Sequence, residues 1–136
     1  MVFKTLTGSS KRVSKAKKYL IDWSGKSRSK MQYNCKQFLK SYWLNDIVFE
    51  EFPIAGTRLS IDFYNSNKKI AIEVQGGQHL KYTPHFHGKS KQTFLSQIRR
   101  DNDKQEFCKI NDIRLVEIYP GDELSPDLFK SFGVCL

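Results

Sequence analysis

From Ser29 onward, apolar side chains recur at Met31, Cys35, Phe38, Leu39, Tyr42 and Trp43, the spacing of one helix face. Ser29 and Gln32 form an S-x-x-Q capping box at the head of that stripe. Three runs with strand character follow: IVFEEFPI, RLSIDFY and KKIAIEVQG. The last two are joined by NSNK, which predicts a two-residue turn at Ser66-Asn67. A polar segment carrying three histidines leads into a helix from about Ser90 to Ile110. Asn111-Asp112 breaks it, IRLVEIY supplies a fourth strand, and SPDLF opens a short last helix with Pro126 at its first position. Nearer the N-terminus, SSKRVSKAKKYLIDW places Val13, Ala16, Leu20 and Trp23 on one face of a basic amphipathic helix. WSGKSRS then reads as a loop.

This order predicts an α/β domain with a small mixed central sheet of about four strands flanked by helices. Residues 1–28 form a basic helical N-terminal extension and residues 29–136 the core. A length of 136 residues suits one domain. The formal charge of +9 changes the picture through its distribution. Up to Lys40 there are eleven basic side chains against one acid, Asp22, while the remainder is close to balanced. Such a front end suits a polyanion, and a phosphate backbone is the commonest one. Cys35, Cys108 and Cys135 are odd in number and contain no CxxC pair, which points to a reducing cytoplasmic setting. The chain has neither an apolar run long enough for a membrane span nor a signal-peptide core at its N-terminus. A soluble protein with no membrane partner is expected.

The predicted hairpin pairs Asn65 with Lys68, Asp62 with Ala71 and Ser60 with Glu73. Leu59, Ile61, Phe63, Ile70, Ile72 and Val74 then point into a core, and Ser60, Asp62, Tyr64, Ala71, Glu73 and Gln75 point the other way. Asp62 and Glu73 become diagonal neighbours about 7–8 Å apart. Carboxylates across that gap can share a divalent cation at about 2.0–2.5 Å. A half-solvated sheet face with two unrelated acids is the alternative. Gln75 and His79 extend the same face, and hard oxygen ligands favour Mg²⁺ or Mn²⁺ over zinc.

Asp62, ten intervening residues and then Glu73-Val74-Gln75 resemble the core motif of the PD-(D/E)XK nucleases. The likeness is strongest to very short patch repair endonucleases and to phage or intron homing endonucleases. It covers roughly Ser29 to Ile118, including EVQGGQH, RRDNDK and INDIRLVEI. Gln75 stands where that family usually has lysine, and Gln32 stands near a place where the first helix often supplies glutamate. The resemblance implies a restriction-endonuclease-like core and Mg²⁺-dependent hydrolysis of DNA phosphodiesters. Asp62, Glu73 and the Val74 carbonyl would hold the ion, Gln75 would orient water and His79 would accept a proton. Cutting both strands of double-stranded DNA would need a homodimer, a larger homo-oligomer or successive nicks.

Lys11, Arg12, Lys15, Lys17, Lys18, Arg58, Lys81, Arg99, Arg100 and Lys104 are the candidate DNA-binding side chains. His79, His85 and His87 with Cys108 could form a zinc site, although Cys108 is distant in sequence and surface histidines are the blander reading. Tyr82 or Phe86 could stack on DNA from the intervening loop. Asp101 shares a helix face with Phe94, Ile98, Gln105 and Cys108, where pairing with an arginine or backbone donor is expected and facing the site is the alternative. Either Glu50 or Glu51 could add a metal contact, and spacing does not decide which. Of a different class is a non-catalytic DNA-binding or recombination accessory protein, a reading that Gln75 favours.

Overall fold

The computed structural model describes residues 1–76 and 88–136, leaving out the side chains of residues 88–90. The elements run β1 (Val2–Lys4), β2 (Ser10–Arg12), a 3-10 turn (Ala16–Tyr19), α1 (Lys30–Trp43), β3 (Val48–Pro53), β4 (Ser60–Asn65), β5 (Ile70–Val74), α2 (Gly88–Ile110), β6 (Arg114–Ile118) and α3 (Pro126–Lys130). The mixed α/β architecture is as the residue pattern predicts. Its main sheet has the order β3-β4-β5-β6, antiparallel through β5 and parallel between β5 and β6. The two hairpin connections are short, whereas the parallel step requires a crossover, which α2 supplies. Ser29 caps α1 by accepting the Gln32 N–H at 3.1 Å, and Ser125 caps α3 with Pro126 inside its first turn. The capping box is half formed, because the Gln32 side chain turns to β3 instead.

Both sheet faces are packed. On one side Cys35, Leu39 and Trp43 of α1 meet Val48, Phe63, Ile70, Ile72, Val116 and Ile118, with Phe129 and Val134 behind them. On the other, Phe107 and Cys108 of α2 meet Phe49, Phe52, Ile61, Tyr64 and Ala71. This corrects the expected division into one core face and one polar face. Leu59 and Ile61 belong with Tyr64 and Ala71, while Phe63 packs towards α1. The alternation therefore slips at Asp62. Opposite it, Glu51 has a left-handed backbone (φ 53°), and Phe49 and Phe52 consequently enter the same cluster with ring centres 4.8 Å apart.

The hairpin register also differs from the expected one. Phe63 pairs with Ile72, Tyr64 with Ala71 and Asn65 with Ile70, so the loop is the four residues 66–69, not Ser66-Asn67 alone. Asn65 Oδ1 accepts the Lys68 N–H at 3.0 Å, Asn67 Oδ1 accepts the Ile47 N–H, and Lys69 takes the positive φ of 55°. Side-chain bonds close this turn, which residue type alone does not reveal. A shift of two positions preserves parity, so Asp62 and Glu73 still meet.

The basic amphipathic helix predicted before Trp23 is not formed. That segment forms β2, paired in a hairpin with β1, then the 3-10 turn and an extended stretch. The Val13 N–H donates to the Met1 carbonyl, and Gly8 (φ 90°) turns the chain between the strands. A lysine-rich helix with a single acid, Asp22, has little intrinsic support, whereas Phe3 gains a pocket formed by Phe52, Tyr64 and Phe107. Phe3 and Val13 both join the second core cluster. No helix among the described residues is long and apolar enough to cross a membrane. Phe3→Ala should therefore destabilise the whole domain by about 3 kcal/mol in urea unfolding. An unchanged midpoint would show that the hairpin does not pack as described.

Candidate functional site

The ladders bring four carboxylates into one row across the sheet. Glu73 pairs with Glu117 in the parallel register. One step beyond Phe63–Ile72 sets Asp62 opposite Glu73, and the pairs flanking Glu51 set it opposite Asp62. Glu51, Asp62, Glu73 and Glu117 thus lie on β3, β4, β5 and β6 in turn. Adjacent like charges on a sheet repel, so each needs a partner. Arg28 stands 3.6 Å from Glu51 and 3.4 Å from Asp62. Lys104 of α2 pairs with Glu73 at 3.0 Å. Glu117 accepts hydrogen bonds from Gln75 (3.1 Å), Gln105 (3.0 Å) and Tyr119 (3.0 Å).

Asp62 and Glu73 are the deepest members, 1% and 5% exposed. The Asp62 N–H donates to Glu73 Oε1 at 3.1 Å, and the Val74 N–H donates to Asp62 Oδ2 at 2.8 Å. Each carboxylate occupies the place of a ladder carbonyl, and backbone pairing stops beside them. Burial raises the Asp62 pKa, against the Val74 hydrogen bond, and the nearby Glu51 charge adds to the rise. Burial pushes Glu73 up to about 7, with the Asp62 charge adding and Lys104 opposing. The pair is a concentrated, poorly solvated negative site.

That donor set fits a hard divalent cation: two carboxylates lacking solvent, with a carbonyl beside them. The Gln75 N–H donates to the Ile118 carbonyl at 2.7 Å, so Val74 turns its own peptide groups towards β4 and Asp62. Among the described residues, no group of three or more His, Cys, Asp or Glu side chains is arranged to hold a metal ion. The candidate ligands are Asp62, Glu73 and the Val74 carbonyl.

The first helix supports this site from the other side. The fully buried Lys36 pairs with Glu50 at 2.9 Å, and Gln32 donates to both Glu50 (2.9 Å) and Glu51 (3.0 Å). Glu50 is thereby committed to α1, while Glu51 faces Arg28 and Asp62. Sequence spacing does not distinguish the two. Gln75 is buried on the Glu73 side of β5, and its amide is used on Glu117. His79, Lys81, Tyr82, His85, Phe86 and His87 lie outside the described residues. Cys108 sits in the apolar cluster with its thiol pushed up to about 12, mainly by burial, which is unlike a zinc-binding thiolate. The three cysteines are free. Lys11, Arg12, Lys15, Lys17, Lys18, Arg58, Arg99 and Arg100 are exposed, whereas Lys104 is drawn into the carboxylate row. Asp101 is half-buried, and its charge contributes to raising the Tyr119 pKa.

Glu117, Arg28 and Lys36 are site-associated residues that motif reading missed. Glu117 carried a usable signal, since it interrupts RLVEIY as Glu73 interrupts AIEVQ. Arg28 and Lys36 carried none, because nothing distinguishes them from neighbouring cations.

No protein-family model matches this chain. It is 42% identical over 60 residues to uncharacterized protein 307L of Invertebrate iridescent virus 6, covering 44% of this chain and 30% of that protein. It is 38% identical over 66 residues to uncharacterized protein 094L of Frog virus 3, covering 48% and 43% respectively. With uncharacterized protein 033L of Invertebrate iridescent virus 3 the identity is 28% over 95 residues, covering 66% and 48%. The matches therefore span less than half of each relative's length. No solved structure matches.

Raised carboxylate pKa values have a definite consequence for stability. Glu73 moves from an ordinary 4.5 to about 7, so its protonated form favours folding below 4.5 and that stabilisation is lost as pH rises through about 7. Glu73→Gln cannot ionise. In EDTA, its stability relative to the parent should rise between pH 4.5 and 8 by on the order of 1–3 kcal/mol. Parallel urea-unfolding profiles across that range would remove the proposed burial of charge.

Proposed function

We propose that the protein is a Mg²⁺-dependent endodeoxyribonuclease with a PD-(D/E)XK-type, restriction-endonuclease-like core. The observation that carries this reading is the buried Asp62–Glu73 pair, where each carboxylate accepts a backbone N–H from the other's strand. The order of a capped helix, three antiparallel strands, a helix and a parallel strand supports it. Asp62, Glu73 and the Val74 carbonyl would hold the ion. Bound Mg²⁺ supplies charge for the scissile phosphate and acidifies an attacking water.

The remaining work falls to the chain's own residues. Lys104 brings an ammonium to Glu73 Oε2 from α2, supplying positive charge that Gln75 lacks. Gln75 is held by Glu117, which fixes the end of β5 beside Val74. Exposed Lys11, Arg12, Lys15, Lys17 and Lys18 offer phosphate contacts around the N-terminal hairpin, and Arg58, Arg99 and Arg100 add others. Double-strand cutting would require two copies or two successive nicks. Similarity to proteins of iridescent and frog viruses suits a virus-borne nuclease of mobile-element type, working in a host-cell cytosol.

A second reading is a DNA-binding or recombination accessory protein without hydrolysis. It is favoured by the commitment of the Gln75 amide to Glu117, which removes a free donor from the carboxylate pair. Supercoiled plasmid separates the two readings. The enzyme should nick it with Mg²⁺ and not with EDTA, and Asp62→Asn or Glu73→Gln should abolish nicking with DNA binding retained. Tight DNA binding without any metal-dependent nicking would leave the accessory reading.

The hairpin cations are best tested by substitution, since Phe3 and Val13 belong to the core. Replacing Lys11, Arg12, Lys15, Lys17 and Lys18 with glutamine should flatten the log–log salt dependence of DNA binding by about 0.9 per lost contact. An unchanged slope would mean that these side chains are merely solvated.

A further inference from the structure

The cations in and beside the carboxylate row are held very differently. Lys36 is fully buried and 2.9 Å from Glu50, and the Lys104 side chain is 16% exposed and 3.0 Å from Glu73. Arg28 is 67% exposed and makes two long contacts, 3.6 Å to Glu51 and 3.4 Å to Asp62. Its partner at Asp62 is nevertheless almost wholly buried, so a loose cation caps a tight anion.

The backbone around Arg28 is pinned. The Ser27 hydroxyl donates to Glu50 Oε2 at 2.7 Å, and the Ser29 hydroxyl accepts the Gln32 N–H as the cap of α1. Lys36 Nζ also reaches the Lys26 carbonyl at 3.4 Å. The guanidinium thus swings from a fixed point beside the row. Asp62 Oδ2 accepts the Val74 N–H, and Arg28 stands at Oδ1, an oxygen that a divalent cation would also use. Exposed ion pairs are weak, so exchange of the guanidinium for a metal costs little. Once displaced, a guanidinium has donors matched to phosphate oxygens.

We infer that Arg28 is an exchangeable counter-cation. It neutralises Asp62 and Glu51 in the unloaded protein, and it passes to a phosphate of bound DNA when a divalent cation takes its place at Asp62. This rests on the metal-dependent reading of the site. The two positions of Arg28 couple metal loading to the grip on DNA. Arg28 is a positioning residue in the first state and a phosphate ligand in the second.

Isothermal titration of the full chain with Mn²⁺ tests the first half, using the parent, Arg28→Ala, Arg28→Lys and Asp62→Asn. Arg28→Ala should bind Mn²⁺ roughly two- to fivefold more tightly, because a solvent-exposed competitor is gone. Arg28→Lys should lie between it and the parent. The second half is read from the salt dependence of binding to a labelled duplex, in Ca²⁺ and in EDTA. Arg28→Ala should lower the slope by about 0.9 in Ca²⁺ and leave it unchanged in EDTA. Equal Mn²⁺ affinity in the alanine variant and the parent would overturn the exchange. So would a slope change that is the same in both conditions, or absent from both. If the parent binds no Mn²⁺, or Asp62→Asn binds it equally well, the metal reading itself fails and this inference falls with it.

Discussion

The interaction on which the rest depends is the exchange of ladder carbonyls for carboxylates between β4 and β5. Asp62 accepts an N–H from β5, and Glu73 accepts one from β4. Two buried charges are then held in the sheet at a place where ordinary pairing would have needed none. Removing a carboxylate from water is costly unless hydrogen bonds and counter-charges replace the lost solvation. Those replacements come from elements far apart in sequence. Arg28 precedes α1, Lys104 comes from α2, and Val74 is the last residue of β5. The contacts that complete the site therefore also tie α1 and α2 to the sheet.

This constraint also explains the departure from a simple two-faced sheet. The side-chain alternation slips at Asp62, and β3 answers with the left-handed Glu51. The β3–β4 register is the same on either side of Glu51, so the strand keeps its pairing while this one side chain turns to a new direction. Gln32 and Arg28 hold Glu51 there, and Phe49 and Phe52 fill the second core as a result. Strain at one non-glycine residue is thus balanced by charge pairing and aromatic packing.

Position in and beside the row gives similar side chains different tasks. Glu117 has three neutral donors and serves as an anchor for Gln75, Gln105 and Tyr119. Glu50 is locked to α1 by Lys36 and Gln32. Asp62 and Glu73 are left with their pKa values raised mainly by burial, and Asp62 has the loosely held Arg28 as its counter-charge. Charge count alone would not separate these acids.

Local pattern was enough to determine much of this protein. The apolar stripe and Ser29 set α1, alternating runs set the four strands of the main sheet, and Asn111-Asp112 ended α2. Even the meeting of Asp62 with Glu73 was legible, because a two-residue error in register conserves side-chain parity. Tertiary structure decided what local chemistry left degenerate. The Val13 to Trp23 pattern fits a helix, yet packing of Phe3 against Phe52, Tyr64 and Phe107 accompanies a hairpin instead. Glu50 and Glu51 are adjacent and identical in type, and contacts with Lys36 of α1 and with Ser27 and Arg28 before it tell them apart. Arg28 looks like any other surface cation until Asp62 lies beside it. Short-range periodicity records which face a residue prefers, whereas the partner that satisfies a buried charge comes from another part of the chain.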